Sequence, residues 1–116
     1  MAKHLITGRI GEDLAVSFLI KNGYQILHRN WRYKHWEADV IVARNDVLHI
    51  IEVKTKRNIK YGYPEDAVTR RKIKYLLGVA EAYLEANPKW QRIQLDIVAI
   101  VLEPQLQMLL IEDVYL

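Results

Sequence analysis

The sequence predicts an α/β fold, a mixed β-sheet with helices on its faces. Three observations lead there. Helix-like and strand-like segments follow one another as helix, three strands, helix, two strands. The second and third strand segments, Val40-Ile41-Val42-Ala43 and Val47-Leu48-His49-Ile50-Ile51, are apolar at successive positions, so both of their faces need cover. Hydrophobic residues make up 51% of the 116, which suits one packed domain spanning 1–116 without staples.

Each element has a local cause. Ile10 to Lys21 sets Ile10, Gly11, Leu14, Ala15, Phe18 and Leu19 at helical spacing, and Asn22-Gly23 supplies the stop. Tyr24 to Tyr33 reads as a strand, with Ile26-Leu27 inward and His28, Arg29 and Arg32 outward. The next two strands flank Arg44-Asn45-Asp46 and form a hairpin running through Lys54. Thr55 to Tyr63 is a polar, basic loop. Pro64 suits the start of a helix, and Glu65-Asp66 favour its first turn. That helix carries Ile73, Leu76, Leu77, Ala80, Tyr83 and Leu84 on one face until Asn87-Pro88 ends it. Ile93 to Leu102 and Leu106 to Ile111 are the last strands, joined through Glu103-Pro104-Gln105.

The hairpin carries the chemistry. With Asn45-Asp46 as a two-residue turn, Arg44 faces Val47, Asp39 faces Glu52 and Glu37 faces Lys54. Side chains alternate across a strand, so these four polar residues share one face. Carboxylates directly opposed have Cβ atoms only about 4.5–5.5 Å apart, and like charges there are destabilising. A compensating cation is needed. A divalent metal with oxygen ligands, with Lys54 beside it, fits that need.

Composition narrows the function classes. There is no cysteine, which removes disulfides, thiolate metal sites and a cysteine nucleophile, and suits a reducing cytoplasm. The start, Met1-Ala2-Lys3-His4, lacks a long apolar run, so neither a signal peptide nor a membrane span is expected. A net charge of +3 says little by itself. Its distribution says more: Lys54, Lys56, Arg57, Lys60, Arg70, Arg71, Lys72 and Lys74 are opposed between them only by Glu65 and Asp66. Clustered Lys and Arg supply sequence-independent attraction to phosphates, although a solvated loop and helix face would look the same. His4, His28, His35 and His49 show no metal-ligand spacing. Trp31, Tyr33 and Trp36 suit either packing or stacking on an unpaired base. Gly8-Arg9-Ile10-Gly11 lacks the third glycine of a dinucleotide fingerprint, and no organic cofactor is expected.

An acid on one strand, then acid-any-lysine on the next, is the pattern of the PD-(D/E)xK nuclease fold. The whole chain resembles the YraN-like family of uncharacterised bacterial proteins, a branch similar in fold to Holliday-junction resolvases. The matching stretches are Gly8-Arg9-Ile10-Gly11-Glu12 with Ala15, Gly23-Tyr24, Arg29-Asn30, Glu37-Ala38-Asp39-Val40-Ile41 and Glu52-Val53-Lys54. Gly62-Tyr63-Pro64-Glu65, Ala67-Val68 with Lys72, and Asp96-Ile97-Val98 complete the series. Trp36, Lys56 and Gln94-Leu95 stand where the family commonly has glycine, arginine and an arginine-aromatic pair.

The resemblance implies a restriction-endonuclease-like mixed sheet and a metal-dependent endonuclease cleaving DNA phosphodiester bonds, with branched or junction DNA as a candidate substrate. The metal would be Mg2+ or Mn2+, held by Asp39, Glu52 and the Val53 carbonyl, with Lys54 stabilising charge on the phosphate. Glu12 either completes the metal site or is a helix-start acid. Glu37 binds a second ion, pairs with Lys54, or is solvated. Lys56, Arg57, Lys60, Arg70, Arg71 and Lys72 are the expected phosphate contacts. Asp96, outside the catalytic shell, is expected to hold a basic residue or to lie near a helix cap. The alternatives are a nucleic-acid-binding module on the same fold without turnover, or a domain docking an acidic protein. A homodimer is expected if a junction is cut symmetrically.

Overall fold

The computed structural model describes residues 3–114. Met1 and Ala2, and the side chains of Lys3 and His4, lie outside that set, and with them most of the segment read above for a leader. The chain forms α1 (Lys3–Lys21), β1 (Gln25–Tyr33), β2 (Trp36–Arg44), β3 (Val47–Lys56), a 3-10 turn at Pro64–Ala67, α2 (Arg70–Ala86), β4 (Ile93–Val101) and β5 (Gln107–Ile111). The five strands make one sheet in sequence order. Only β3 and β4 run parallel, and α2 lies in the long crossover that parallel strands require. This is the α/β layout the sequence predicts.

Alternation along β3 explains the two-sided cover. Leu48 and Ile50 pack with Ile41, Leu76, Val79 and Tyr83 beneath α2. Ile51, one residue on, packs with Ala15, Leu19, Val40 and Val98 beneath α1. Two aromatic contacts extend the α2 side, with His28 and Trp31 both edge-on to Tyr83.

Two helix starts differ from expectation. α1 begins at Lys3 rather than near Ile10, and its buried row is Thr7, Gly11, Ala15 and Leu19 at four-residue spacing. Ile10 lies outward, because the row that meets the sheet is chosen by close approach and not by side-chain size. A Cβ on Gly11 would land on the Thr55 side chain, so the glycine lets helix and strand touch. α2 begins at Arg70, not at Pro64. Val68 and Thr69 are extended, and the Thr69 hydroxyl accepts from the Lys72 amide at 3.2 Å, a capping bond that fixes the true start.

Across β3 and β4, His49 and Asp96 are both buried and bonded, Nδ1 to Oδ2 at 2.7 Å. The other Asp96 oxygen accepts from the Gln94 amide and the Asp113 backbone N–H, each at 2.9 Å. His49 also meets Tyr24 edge-on. Asp96 thus holds a basic residue, and in the ladder it lies beside Ile51, one residue before Glu52. Among the described residues no helix is long and apolar enough to cross a membrane.

The Gly11 contact is testable. Gly11→Ala should lower stability in urea unfolding by about 1–3 kcal/mol, the usual cost of overpacking, even though alanine is the better helix former. Thr55→Ala in the same chain should recover part of the loss. A Gly11→Ala protein as stable as wild type would show that α1 does not rest on Thr55.

Candidate functional site

The hairpin turn sets the register. Asn45 and Asp46 have φ of 53° and 65°, the left-handed pair of the two-residue turn whose twist suits flanking strands. From it the ladder runs Arg44 to Val47, Val42 to His49 and Val40 to Ile51, as the sequence predicts. There the regular pairing ends. Asp39 is next, and its Oδ2 accepts the Val53 amide at 2.8 Å, so a side chain takes a backbone donor of β3.

The neighbouring strand breaks at the same level. Asn30, between the paired residues Arg29 and Trp31, has φ 55°, a conformation asparagine tolerates better than most side chains. Ala38 packs beneath α2 but Val40 beneath α1, although residues two apart on a regular strand share a face. The facing of β2 therefore changes at Asp39, and its carboxyl comes to the seam between the two layers.

Glu52 has the parity of Leu48 and Ile50 and so faces the α2 side, while Lys54, two residues on, borders both that side and the space beside α1. Glu52 is 7% exposed. Its Oε2 takes the Lys72 ammonium of α2 at 3.2 Å. Its Oε1 is buried and, among the described residues, meets no amide, hydroxyl or cationic donor. Burial, then the charge of Glu52 and a hydrogen bond with it, push the Asp39 carboxyl up to about 8, against the pull of the Val53 amide and Lys72. The expected repulsion is therefore present, and a proton and an ammonium relieve it.

Glu37 does not sit opposite Lys54. It lies across from Arg32 on β1 and pairs with it, Nε to Oε2 at 2.8 Å. The turnover of β2 at Asp39 breaks the parity on which the Lys54 pairing depended. Glu12 comes from α1 into the same field. Its pKa is raised by burial and then by the charge of Asp39, with Glu37 adding and Arg29 and Asn30 opposing. With its side-chain nitrogen toward the acids, Asn30 donates to Glu12 Oε1 at 3.2 Å and to Glu37 Oε1 at 3.1 Å. Asn30 is the residue sequence reasoning missed, and the signal was there: asparagine is disfavoured in the middle of a strand.

The basic residues divide. Lys72, expected on phosphate, is engaged with Glu52. Arg71 donates to the Tyr75 hydroxyl at 2.7 Å, and Arg70 is exposed at the start of α2. On the α1 side Arg57 is held by Glu103 at 3.1 Å and Thr7 at 3.2 Å, and Lys56 donates to the Tyr61 carbonyl at 3.4 Å. Lys60 lies over the Tyr61 ring. Trp36 stacks on Tyr75 and fills the space over Gly78, so packing rather than an open ring is its role. Among the described residues no three acids or histidines stand together as a ready-made metal cage. The arrangement is a two-carboxyl site with Lys54 and Lys72 beside it and two further acids, Glu12 and Glu37, joined to each other through Asn30, with Glu12 in the field of Asp39.

Comparison with known proteins agrees on one family. The model of the uncharacterised protein family UPF0102 matches residues 11–100, which include Glu12, Glu37, Asp39, Glu52, Lys54 and Lys72. A UPF0102 protein of Bacteroides fragilis is 39% identical over 101 residues, covering 87% of this chain and 84% of its own. One from Flavobacterium psychrophilum is 41% identical over 103 residues, with 89% and 87% covered. Another, from Dictyoglomus thermophilum, is 42% identical over 96 residues, with 82% and 81% covered.

The state of Asp39 makes stability depend on pH with a definite sign. Between the ordinary 3.8 and about 8 the folded chain keeps a proton on Asp39 that the unfolded chain has lost. The folded state binds more protons in that window, so this group makes stability fall as pH rises through it and level off above. Asp39→Asn keeps the shape without the charge. In urea unfolding across pH 5 to 9, as test conditions bounded by ordinary carboxyl behaviour, the variant should lose that decline. An identical slope in both proteins would show that Asp39 is ionised throughout.

Proposed function

The chain belongs to the uncharacterised protein family UPF0102, and from its paired acids we propose that it is a metal-dependent phosphodiesterase acting on DNA. One observation carries the proposal: Asp39 and Glu52 are buried together at the end of the β2–β3 ladder, and Glu52 keeps a buried oxygen that no amide, hydroxyl or cation of the described residues satisfies. Two buried carboxyls held together by a proton that a cation can replace suit magnesium or manganese, which bind proteins through one or two carboxylates and retain water. Asp39 and Glu52 would hold the ion, with the Val53 carbonyl as third protein donor. When bound, the ion would neutralise the carboxylates and offset negative charge on a phosphate.

The chain's own residues supply the rest. Lys54 shares the β3 face with Glu52 and brings a cation to oxygens whose charge grows as the phosphodiester is attacked. Glu12, held above the ordinary carboxyl range, can carry a proton nearer neutrality than a solvated acid. Arg29 and Asn30 fix where that carboxyl stands. Arg70 and Arg71 at the head of α2, with Lys56 at the end of β3 and Arg57 and Lys60 beyond it, offer phosphate contacts on both sides of the acids. Junction DNA is a candidate substrate, and symmetric cutting of it would need a C2 dimer. Freedom from cysteine is compatible with a cytoplasmic setting.

Lys72 supports a second reading. Its ammonium on Glu52 already relieves part of the repulsion without a metal, as a binding module that never turns over would require. Cleavage separates the two. Purified protein should be tested with magnesium and manganese on duplex, single-stranded and four-way-junction DNA. Cutting by wild type, lost by about 10²–10³ in rate in Lys54→Ala while DNA affinity holds, supports the enzyme. Salt-sensitive binding with no cutting of any form supports the module.

Metal binding has a second readout. Displacing the proton on Asp39 should release it to buffer near neutral pH. Calorimetric titration of magnesium or manganese in two buffers of different ionisation heat should reveal that release, and Asp39→Asn should abolish it. Absence of any divalent heat in wild type, with or without DNA, would remove the metal from the proposal.

A further inference from the structure

Three glycines lie inside helices, and a helical glycine costs about 0.5–1 kcal/mol relative to alanine. Two of them have a packing reason. Gly11 admits the Thr55 side chain, and Gly78 admits the Trp36 ring. Gly8 has none among the described residues, none of which lies within 4 Å of where its Cβ would stand. What Gly8 borders is space: a groove of about 720 Å³ between α1 and the end of β3.

The groove has a chemical direction. At one end are Glu12 and Lys54, which belong to the acid site. Lys56 and Arg57 line its course. Their positions are set in advance, Lys56 by the Tyr61 carbonyl and Arg57 by Glu103 and Thr7. At the other end stands Tyr61, 83% exposed, an aromatic ring offered to solvent with the Lys60 ammonium 5.5 Å from its centre. Cations along a channel attract a chain of phosphates, and an exposed ring is a platform for a base. Duplex DNA keeps its base faces stacked inside, so only an unpaired strand has a face to give.

We propose that this groove binds an unpaired DNA strand leaving the acid site, with its phosphates along Lys54, Lys56 and Arg57, its backbone passing over Gly8, and a base on Tyr61. The inference rests on the DNA reading above and deepens it. Arg70 and Arg71 lie across the acids at the head of α2, beneath the opposite face of the sheet from α1, and suit the paired part of the same substrate. The substrate class is therefore DNA in which paired and unpaired segments meet. Gly8 is smooth because a side chain there would stand where the strand runs.

Substitution at Gly8 separates this role from a structural one, because the position has room. Gly8→Ala should fold with the same or a higher melting temperature, and Gly8→Leu should still fold. Affinity for a fluorescent single-stranded oligonucleotide, measured by anisotropy, should fall stepwise through the two variants. Tyr61→Ala should weaken it roughly tenfold, within the usual range for a base–aromatic stack. Blunt duplex should bind all four proteins alike. Single-strand affinity equal to wild type in both Gly8→Leu and Tyr61→Ala would overturn the inference, whatever the cleavage assay gives. Equal losses on duplex and single strand would overturn it too, since the groove would then not select the unpaired form. If the single-strand losses occur but no DNA is ever cut, the groove stands and the enzyme reading falls. If wild type binds neither form, both fall.

Discussion

Everything at the site follows from two carboxyls placed where the β2–β3 ladder stops. Asp39 and Glu52 are too close and too buried to be ionised together without help. The chain answers locally, with the Val53 amide on Asp39 and Lys72 on Glu52. It answers again by keeping a proton, through a raised Asp39 pKa. A proton, an ammonium and a divalent ion are alternative solutions of the same electrostatic problem. Which of them is present sets whether the site is closed upon itself or open to an anionic ligand.

The topology explains why these groups meet. Glu52 and Lys54 lie toward the carboxyl end of β3, the strand that runs parallel to β4, and the crossover returns through the start of α2. In open α/β sheets ligands gather at such carboxyl ends. β2 runs the other way, so it is the entry of β2 that reaches the same level, bringing Asp39 soon after the strand begins. The parallel pair is also held by His49 and Asp96, bonded across it just before the level of the acids. β2 and β3 keep register up to Val40 and Ile51 and depart from regular pairing where the acids begin.

Much of this was legible in the chain. Asn45-Asp46 fixes a turn type, the turn fixes the register, and the register aligns Asp39 with Glu52; each step depends on neighbours in sequence. Apolar runs on both faces of β2 and β3 correctly demand two covering helices. Less legible was whatever depends on one strand deforming against another. The pairing of Glu37 with Arg32 follows from a change of facing at Asp39, which hydrophobic alternation alone does not encode, although Asn30 in mid-strand hinted at it. Lys72 reads as one cation in a basic run, and only the crossover brings it to Glu52. The start of α2 was misplaced because Pro64 and two acids make a good first turn, whereas Thr69 makes the bond that begins the helix.

Trp36 and Gly78 have a consequence for how the chain can vary. The indole occupies the hollow that the missing side chain leaves on α2, and it lies stacked on Tyr75 beside the acid-bearing strand. The two positions share one volume. A small residue at 36 empties it, and a larger one at 78 refills it from the other side. Either change alone leaves a void or a collision, whereas the two together conserve the packing. Drift at these positions is therefore expected to be concerted, and it would leave the neighbouring acids where they are while altering the wall that stands over them.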